Sequence, residues 1–267
     1  MPDDLRIMPI AVLAAGGRWR VEAMRAISEP CLLWFTKGQG RITLQGQTRG
    51  YTAHNCIFIP AGVTHGFEVS PSVFGTALFF GRDHGLDLPK EPLHLRIREA
   101  NLHQELTMLL DHIQRELASD AIGKERAARH YLGLLDVFLE RQSVRQSPEN
   151  QTQDASAKLV ARFTALIEED FRSGAGVAEL AEKLGVTPTH LTRCCQAISG
   201  RPALTLLQDR RLIEARRLLS DTKLAINQIA SDIGFGSPAY FTRAFHLLTG
   251  KSPSDFRRAA QPRMALT

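Results

Sequence analysis

Two helix–turn–helix patterns that lie fifty residues apart constrain the fold of this chain more than any other feature. In the first, apolar residues at helical spacing in 180–184 are followed by Gly185, which tolerates a positive φ angle. Thr187 and Pro188 then supply a helix cap and a first helical residue. The second copy repeats the apolar run, the glycine, the cap and the proline at 229–233, Gly234, Ser237 and Pro238. The repeat predicts a helix, a tight turn and a second helix, twice over.

The helix after each turn is predicted to have one buried and one exposed face. The buried stripe consists of Leu191, Cys194, Cys195 and Ile198 in the first copy and of Phe241, Phe245 and Leu248 in the second. The exposed residues are Thr189, His190, Thr192, Arg193 and Gln196 in the first copy and Ala239, Thr242, Arg243 and His246 in the second. Polar side chains in such a row suit the donor and acceptor edges of DNA bases.

The charge distribution separates the two halves of the chain. Residues 1–150 hold 17 Lys and Arg against 17 Asp and Glu, whereas residues 151–267 hold 16 against 11, so the net charge of +5 lies in the C-terminal part. A basic domain gains affinity for DNA by neutralising phosphates, although solubility alone also explains a modest charge. An ordinary bundle of two helical hairpins is the alternative. Two copies in register on a basic background favour DNA binding.

Further motifs surround the second copy. They are Ile229-Ala230, Gly234-Phe235, the run YFTRAF at 240–245, Gly250, Pro253 and Phe256-Arg257. With them, residues 158–258 resemble the AraC/XylS family of bacterial transcription regulators. The resemblance implies sequence-specific binding of double-stranded DNA, with a long helix within 202–219 that joins two subdomains rigidly. One departure is Pro238-Ala239, which offers no polar group to base edges at the start of the second reading helix.

Two kinds of DNA contact are predicted. Base reading is expected from Thr189, His190, Thr192, Arg193 and Gln196 in the first copy and from Thr242, Arg243 and His246 in the second. Arg193 is the leading candidate, because a guanidinium can bind guanine O6 and N7 together. Phosphate contacts, which set the register on DNA, are expected from Ser237, Lys251, Arg257 and Arg258.

The N-terminal part has the pattern of β structure. Short runs rich in β-branched and aromatic residues, bounded by Gly, Pro, Asn and Ser, predict a small antiparallel barrel or sandwich. Residues 60–65 (PAGVTH) resemble the second motif of the cupin barrels, and many AraC/XylS regulators carry such a barrel as their effector-sensing domain. The predicted fold class is α+β, with an N-terminal cupin-like β-barrel, flanking helices, a linker and a C-terminal all-α double helix-turn-helix domain.

The domain boundaries follow from these patterns. We predict a cupin-like effector-binding barrel at 1–98, a helical segment at 99–142, a linker at 143–157 and the double helix-turn-helix domain at 158–267. The linker holds almost no large apolar residue and cannot fold alone. Two apolar stripes in the helical segment begin at Leu102 and Ala128. They either form the contact of a homodimer or cover the barrel within one subunit, and the pattern leaves both possibilities open.

The barrel is predicted to bind a small organic effector, such as an aromatic acid or a sugar. The candidate contacts, which offer stacking surface, a hydrogen bond or a cation for a carboxylate, are Trp34, Arg20, Arg41, His65 and Phe67. Trp34 suits a ligand wall and the barrel core equally well.

Catalysis is not expected from this sequence. Metal-dependent cupins present a His-x-His pair, a Glu and a further His, whereas the corresponding stretch holds only His54 and His65. We therefore predict no catalytic residue, no metal site and no cofactor. A metal-dependent cupin enzyme with a fused DNA-binding tail is the alternative, and bound metal after purification would reveal it. A DNA bender without sequence preference is a third possibility.

The remaining features bear on location and partners. The apolar run at 7–15 follows two aspartates, so it is predicted to be a first strand rather than a secretory signal. No stretch approaches the roughly 20 apolar residues of a membrane helix, and a soluble cytoplasmic protein is expected. Cys31, Cys56, Cys194 and Cys195 lack metal-ligand spacing and are predicted to be reduced core residues. RNA polymerase is a further expected partner if the protein activates transcription.

Overall fold

The computed structural model describes residues 5–15, 18–22, 24–145 and 155–260. These residues form two compact units, one made mainly of residues up to 145 and the other mainly of residues from 155. The first unit mixes strands and helices, and the described part of the second is helical. The predicted combination of sheet and helix with a helical C-terminal region is thereby confirmed.

The strands of the first unit form two antiparallel layers. They are β1 (Arg6–Pro9), β2 (Cys31–Lys37), β3 (Gln39–Leu44), β4 (Gln47–Thr52), β5 (Asn55–Ile59), β6 (His65–Phe67), β7 (Phe74–Phe79) and β8 (Leu93–Arg96). One sheet has the order β1-β7-β2-β5-β8 and the other has the order β4-β3-β6. Within the described residues, β1, β8, β4 and β6 are sheet edges, so the strands form two sheets that do not close into one barrel. The cupin-like barrel is therefore not confirmed.

The short helices of the first unit correct one prediction. The apolar run at 7–15 does not form a single strand, because β1 ends at Pro9 and the helix α1 (Ile10–Leu13) follows at once. Proline has no backbone N–H to continue the strand ladder, which explains the change at this residue. A second short helix, α2, covers Trp19–Glu22.

Strand β2 contributes to two separate apolar cores because its side chains alternate between the faces of the sheet. Leu33 and Phe35 belong to a core that also contains Ile42 and Phe67 of the three-stranded sheet. Leu32 and Trp34 belong to a second core, where the five-stranded sheet meets two long helices.

Those helices are α3 (Ala100–Ala118) and α4 (Lys124–Arg145). Their predicted stripes cover the sheet: Leu106, Ile113 and Leu135, for example, are fully buried. Helix α4 also has an exposed apolar face on its other side, which holds Leu134, Val137 and Val144 at exposures of 56, 38 and 72%. The sequence stripes did not include these three residues.

The predicted linker at 143–157 overlaps both neighbouring helices. Helix α4 continues to Arg145, and α5 begins at Ala155. Residues 146–154 lie outside the described residues, so the proposed linker is a prediction for that part of the chain.

The second unit consists of helices that form two cores around one long helix. They are α5 (Ala155–Asp170), α6 (Val177–Lys183), α7 (Pro188–Ser199), α8 (Ala203–Asp221), α9 (Ile226–Asp232), α10 (Pro238–Thr249) and α11 (Pro253–Ala260). The start of α8 packs with α5, α6 and α7 through Ala203, Leu206 and Leu207. Its other half packs with α9 and α10 through Leu212, Ala215 and Leu219. A single rigid helix therefore belongs to both helix–turn–helix copies.

Candidate nucleic-acid interface

The two predicted reading helices, α7 and α10, are built in the same way. The side chain of Thr187 accepts a hydrogen bond from the backbone N–H of His190 at 3.2 Å, and Ser237 accepts one from Tyr240 at 3.2 Å. Each helix ends at a left-handed glycine, Gly200 with φ 72° or Gly250 with φ 71°. The predicted caps, together with these two glycines, place both helices at equivalent positions in their copies.

Helix α7 exposes most of its predicted base-reading row. Thr189, Arg193 and Gln196 are exposed, while His190 and Thr192 are half-buried. An open groove of about 760 Å³ runs along this face and is lined by Pro188, Thr189, Thr192, Arg193, Gln196 and Ala197. Leu191, Cys194 and Cys195 lie on the opposite, buried face.

Three of the five residues in the row form hydrogen bonds with other groups of α7 or of the glycine that ends it. The His190 ring lies between the Arg193 guanidinium, with Nδ1 3.0 Å from Nη2, and the thiol of Cys194, with Nε2 3.7 Å from Sγ. The Gln196 amide donates to the carbonyl of Gly200 at 2.9 Å, which closes the end of the helix. Thr189, Thr192 and Arg193 line the groove, and Arg193 keeps further N–H donors beside its bond to His190.

Helix α10 presents a less polar face. Thr242, Arg243 and His246 are exposed as predicted, although the Thr242 hydroxyl donates to the Pro238 carbonyl at 2.9 Å. Leu247, at the position that corresponds to Ala197, is 89% exposed. The sequence pattern did not single out this residue.

One residue of the predicted buried stripe in α10 is more open than expected. Leu248 is 39% exposed, whereas Phe241 and Phe245 are fully buried. Phe256 of α11 packs edge-on against Phe245, with ring centroids 5.4 Å apart. This ring closes the end of the core, so Leu248 lies at its margin.

The predicted phosphate contacts lie at the start of α10, in the turn after α10 and in α11. Lys251 and Arg258 are exposed, and Arg258 pairs with Asp255 at 3.2 Å. Ser237 is the cap of α10, and its hydroxyl hydrogen can still be donated. Arg257 donates to the carbonyl of Leu224 in the turn before α9.

A buried polar network fixes α8 within the second unit, and sequence reasoning missed it. The guanidinium of Arg211 donates to the carbonyls of Phe171 at 2.8 Å and Ala175 at 2.9 Å. Arg210 pairs with Glu168 at 2.8 Å and lies over the Phe171 ring. These contacts join the long helix to the end of α5 and the loop that follows.

Glu214 of α8 belongs to the same network. It pairs with Arg172 at 2.7 Å and with Arg217 at 2.8 Å. Burial alone would raise the pKa of this carboxyl, but the ion pairs with Arg217, Arg210 and Arg172 hold the pKa below its usual value. The carboxylate therefore stays charged and bound to its partners.

The five predicted effector contacts do not form one cluster in the described residues. Trp34 and Phe67 belong to different cores, and His65 is buried with Nδ1 2.9 Å from the Val63 carbonyl. Arg41 pairs with Glu68 at the surface. The guanidinium of Arg20 lies 4.9 Å from the centre of the Trp19 ring.

Trp34 has two histidine neighbours that the sequence pattern did not connect with it. Its ring centroid lies 5.1 Å from that of His103 on α3 and 6.4 Å from that of His54. The indole Nε1 is buried and has no hydrogen-bond partner among the described residues. Burial and the adjacent His54 lower the pKa of His103.

No group of three or more His, Cys, Asp or Glu side chains is arranged to hold a metal ion within the described ranges. In the same ranges, no helix has both the length and the apolar character needed to cross a bilayer.

Comparison with known proteins identifies the second unit. Residues 180–259 match a family model described as a helix-turn-helix domain. The arabinose operon regulatory protein of Escherichia coli K12 is 31% identical over 88 residues, which cover 33% of this chain and 30% of that protein. The HTH-type transcriptional regulator GlxA of Rhizobium meliloti is 40% identical over 79 residues, which cover 30% of this chain and 24% of that protein. The chain thus spans less than a third of the length of these curated relatives.

One solved structure aligns over a longer part of the chain. The crystal structure of ToxT from Vibrio cholerae O395 matches over 95% of this chain and 96% of that one, with 13% identity and a TM-score of 0.45. The two sequence relatives named above match over about a third of this chain and are regulators by name. Residues 180–259 of this chain therefore match a helix-turn-helix domain, and these regulators are similar to the chain over segments of about the same length.

Proposed function

We propose that this chain is a cytoplasmic transcription regulator that binds double-stranded DNA sequence-specifically, and that it is not an enzyme. The repeated reading helix carries the proposal: α7 and α10 present exposed residues at matching positions and share α8 within one compact unit. The excess of basic residues in 151–267 supports the same function. So do the regulators that match the second unit.

In this proposal, α7 and α10 enter successive major-groove segments on one face of the duplex. Helix α8 has 19 residues and is therefore about 28 Å long, close to the roughly 34 Å of one DNA turn. Its polar network with α5 and its two apolar cores hold both reading helices at a fixed spacing. One subunit then covers one half-site.

The exposed residues divide into base readers and phosphate anchors. Arg193 reads guanine, with Thr189 and Thr192 beside it, and Arg243 is its counterpart in α10. Lys251, Ser237 and Arg258 bind phosphates and set the register. Arg257 adds its remaining N–H groups after its bond to Leu224.

The first unit is proposed to sense a small organic effector with a cupin-like arrangement of its strands. The unpartnered Nε1 of Trp34, beside His54 and His103, is the feature that best supports a polar ligand in this unit. An effector would act by favouring one arrangement of the protein, and the shift cannot exceed its difference in affinity for the two states.

A homodimer is proposed to form through α4, with RNA polymerase as a further partner if the regulator activates transcription. Leu134, Val137 and Val144 follow one another at spacings of three and seven residues, so they lie on one side of the helix. Their exposure in a single subunit supports an interhelical contact.

The first test is binding of the full-length chain to the intergenic DNA upstream of its own neighbouring genes. Binding is measured across a salt titration in the presence of excess nonspecific DNA. A footprint that persists in competitor supports a sequence-specific regulator and supplies its operator. Binding that disappears with competitor would overturn the proposal. The alternative of a metal-dependent enzyme would then be tested by measuring bound metal in the purified protein.

Two substitutions distinguish the base-reading residues from the phosphate contacts. Arg193→Ala is expected to flatten the preference among operator variants, by about 1–3 kcal/mol of lost discrimination. Lys251→Ala is expected to weaken binding to all sequences alike and to reduce the salt slope by about one unit. Arg129→Ala removes a charge from the exposed surface of α4 and serves as the control. The same uniform loss from Arg193→Ala and Lys251→Ala would contradict the division of roles.

A further inference from the structure

We infer that His190 is a positioning residue for Arg193 and not itself a reader of bases, an inference that rests on the proposed DNA-binding function. The two side chains lie one helical turn apart on the groove face of α7. His190 Nδ1 is 3.0 Å from Arg193 Nη2, which is hydrogen-bond distance. His190 is half-buried, whereas Arg193 is exposed at the groove.

The chemistry of the three groups sets the direction of each bond. A guanidinium can only donate, so Nδ1 of His190 must be the acceptor. A neutral imidazole then carries its hydrogen on Nε2, which lies 3.7 Å from the Sγ of Cys194 and donates to it. Both ring nitrogens are therefore occupied within α7, and neither is left for a base edge.

The backbone holds the imidazole as well. The N–H of His190 donates to the Thr187 cap, so the residue belongs to the first turn of the helix. Cys194 is 3% exposed and is fixed in the apolar core of the first copy. The contacts from Cys194 through His190 to Arg193 thus connect a buried core residue to an exposed guanidinium.

This connection matters because an arginine side chain loses conformational freedom when it binds. A guanidinium that is already oriented loses less conformational entropy on binding than a mobile one. Binding is therefore more favourable for a base that fits the orientation set by His190. His190 should therefore increase the discrimination that Arg193 provides at its own base pair. It should leave the phosphate contacts unchanged.

The second copy offers a natural comparison within the same chain. At the offset of fifty, Tyr240 replaces His190 and Ala244 replaces Cys194, while Arg243 replaces Arg193. The Tyr240 hydroxyl accepts a hydrogen bond from Gln208 of α8. The corresponding positions of α10 therefore hold neither the imidazole nor the thiol. We expect α7 to supply more of the discrimination than α10.

The test is a double-substitution cycle on the operator found by footprinting. The base pair read by Arg193 is the one at which Arg193→Ala loses its preference. His190→Phe keeps a ring but removes the acceptor, and it should reduce discrimination at that base pair by roughly fivefold, the size of one net hydrogen bond. The double variant should match Arg193→Ala alone, because His190 acts through Arg193.

Three further variants sharpen the result. His190→Gln restores an acceptor oxygen and should recover part of the discrimination. Cys194→Ala introduces the residue of the second copy and should reduce discrimination in the same direction as His190→Phe, but by less. Tyr240→Phe in α10 is the matched control and should leave the Arg193 base pair unaffected. Nonspecific affinity and salt slope should stay at the wild-type values in all of them.

Two outcomes would overturn the inference. His190→Phe could change the preference at a different base pair, which would make His190 a direct reader. Its effect could also add in full to that of Arg193→Ala, which would make the two residues independent. Failure of the proposed function is distinguishable, since the wild-type chain would then show no preference among operator variants. Circular dichroism checks that each variant folds, and His190→Gln carries the test if His190→Phe does not.

Discussion

At the scale of single residues, Arg211 is a buried cation in the interior of the second unit. Its guanidinium is buried and donates to the carbonyls of Phe171 and Ala175. Arg211→Met keeps much of the apolar stem but leaves both carbonyls without this donor. We expect the free energy of unfolding to fall by about 2–3 kcal/mol, measured by denaturant titration.

Arg217→Met is the control for that prediction. Arg217 lies on the same helix and pairs with Glu214, but its side chain is 48% exposed. Water screens the pair, so the loss should be less than about 1 kcal/mol. If both variants lowered the free energy of unfolding equally, the burial of Arg211 would not increase its contribution to stability.

The sequence predicted the apolar and capping residues of α7 and α10 well, and the polar interior poorly. Periodicity identifies a residue such as Leu191 or Phe241, and local chemistry identifies a cap such as Thr187, because both signals lie within a few residues. Arg211 occurs in a helix rich in charge, where the pattern suggests exposure. Its partners are 36 and 40 residues away in the chain, so only the folded structure reveals them.

At the scale of elements, Phe245 holds α10 in its core. The ring is fully buried and contacts the rings of Phe241 and Phe256. Phe245→Ala should lower the free energy of unfolding by about 3–5 kcal/mol, with faster amide hydrogen exchange in 226–260. Leu247→Ala on the same helix removes an 89% exposed side chain and should change stability by less than about 0.5 kcal/mol. Similar losses from both variants would contradict the assignment of the two faces.

The exposed face of α4 gives a second prediction at this scale. If Leu134, Val137 and Val144 form a dimer contact, Leu134→Asp should convert the protein to a monomer, because a carboxylate would be buried against an apolar partner helix. Light scattering after gel filtration measures the mass. Glu105→Gln, at an exposed position of α3, is the control and should keep the wild-type mass. A wild-type monomer, or a dimer that tolerates Leu134→Asp, would exclude this face as the contact.

Elements of the first unit were harder to predict than those of the second. The alternation along β2 separates Trp34 from Leu33 and Phe35, but it does not reveal which face meets the helices. That depends on which strands pair, and β2 lies between β5 and β7, which are distant in sequence. The five predicted effector contacts were therefore grouped by residue type, and the structure places them in different surroundings.

At the scale of the whole molecule, the two units should respond differently to acid. Burial lowers the pKa of His94 and of His103 in the first unit, with smaller effects from Arg49 and His54 respectively. The folded unit therefore favours the neutral rings, and the unfolded chain, with a histidine pKa near 6.5, takes up protons more readily as the pH falls. This contribution to stability is present above about pH 6.5 and is lost below it.

Tryptophan fluorescence can follow this loss in the first unit alone, because the two tryptophans of the chain, Trp19 and Trp34, both belong to it. We expect its thermal midpoint to fall between pH 7.5 and pH 5.5. Asp136 acts in the opposite direction at the acid end, since burial raises its pKa and protonation then favours the folded unit.

His103→Gln tests the origin of the acid response. The variant removes one of the two neutral rings, so the midpoint should depend less on pH than in the wild type. His130→Gln, at an exposed position of α4, should keep the full dependence. A midpoint that rises on acidification, or an unchanged slope in His103→Gln, would exclude this ring as a source of the effect. Because Trp34 lies beside His103, a reduced slope would also connect acid sensitivity with the part of the first unit proposed to receive an effector.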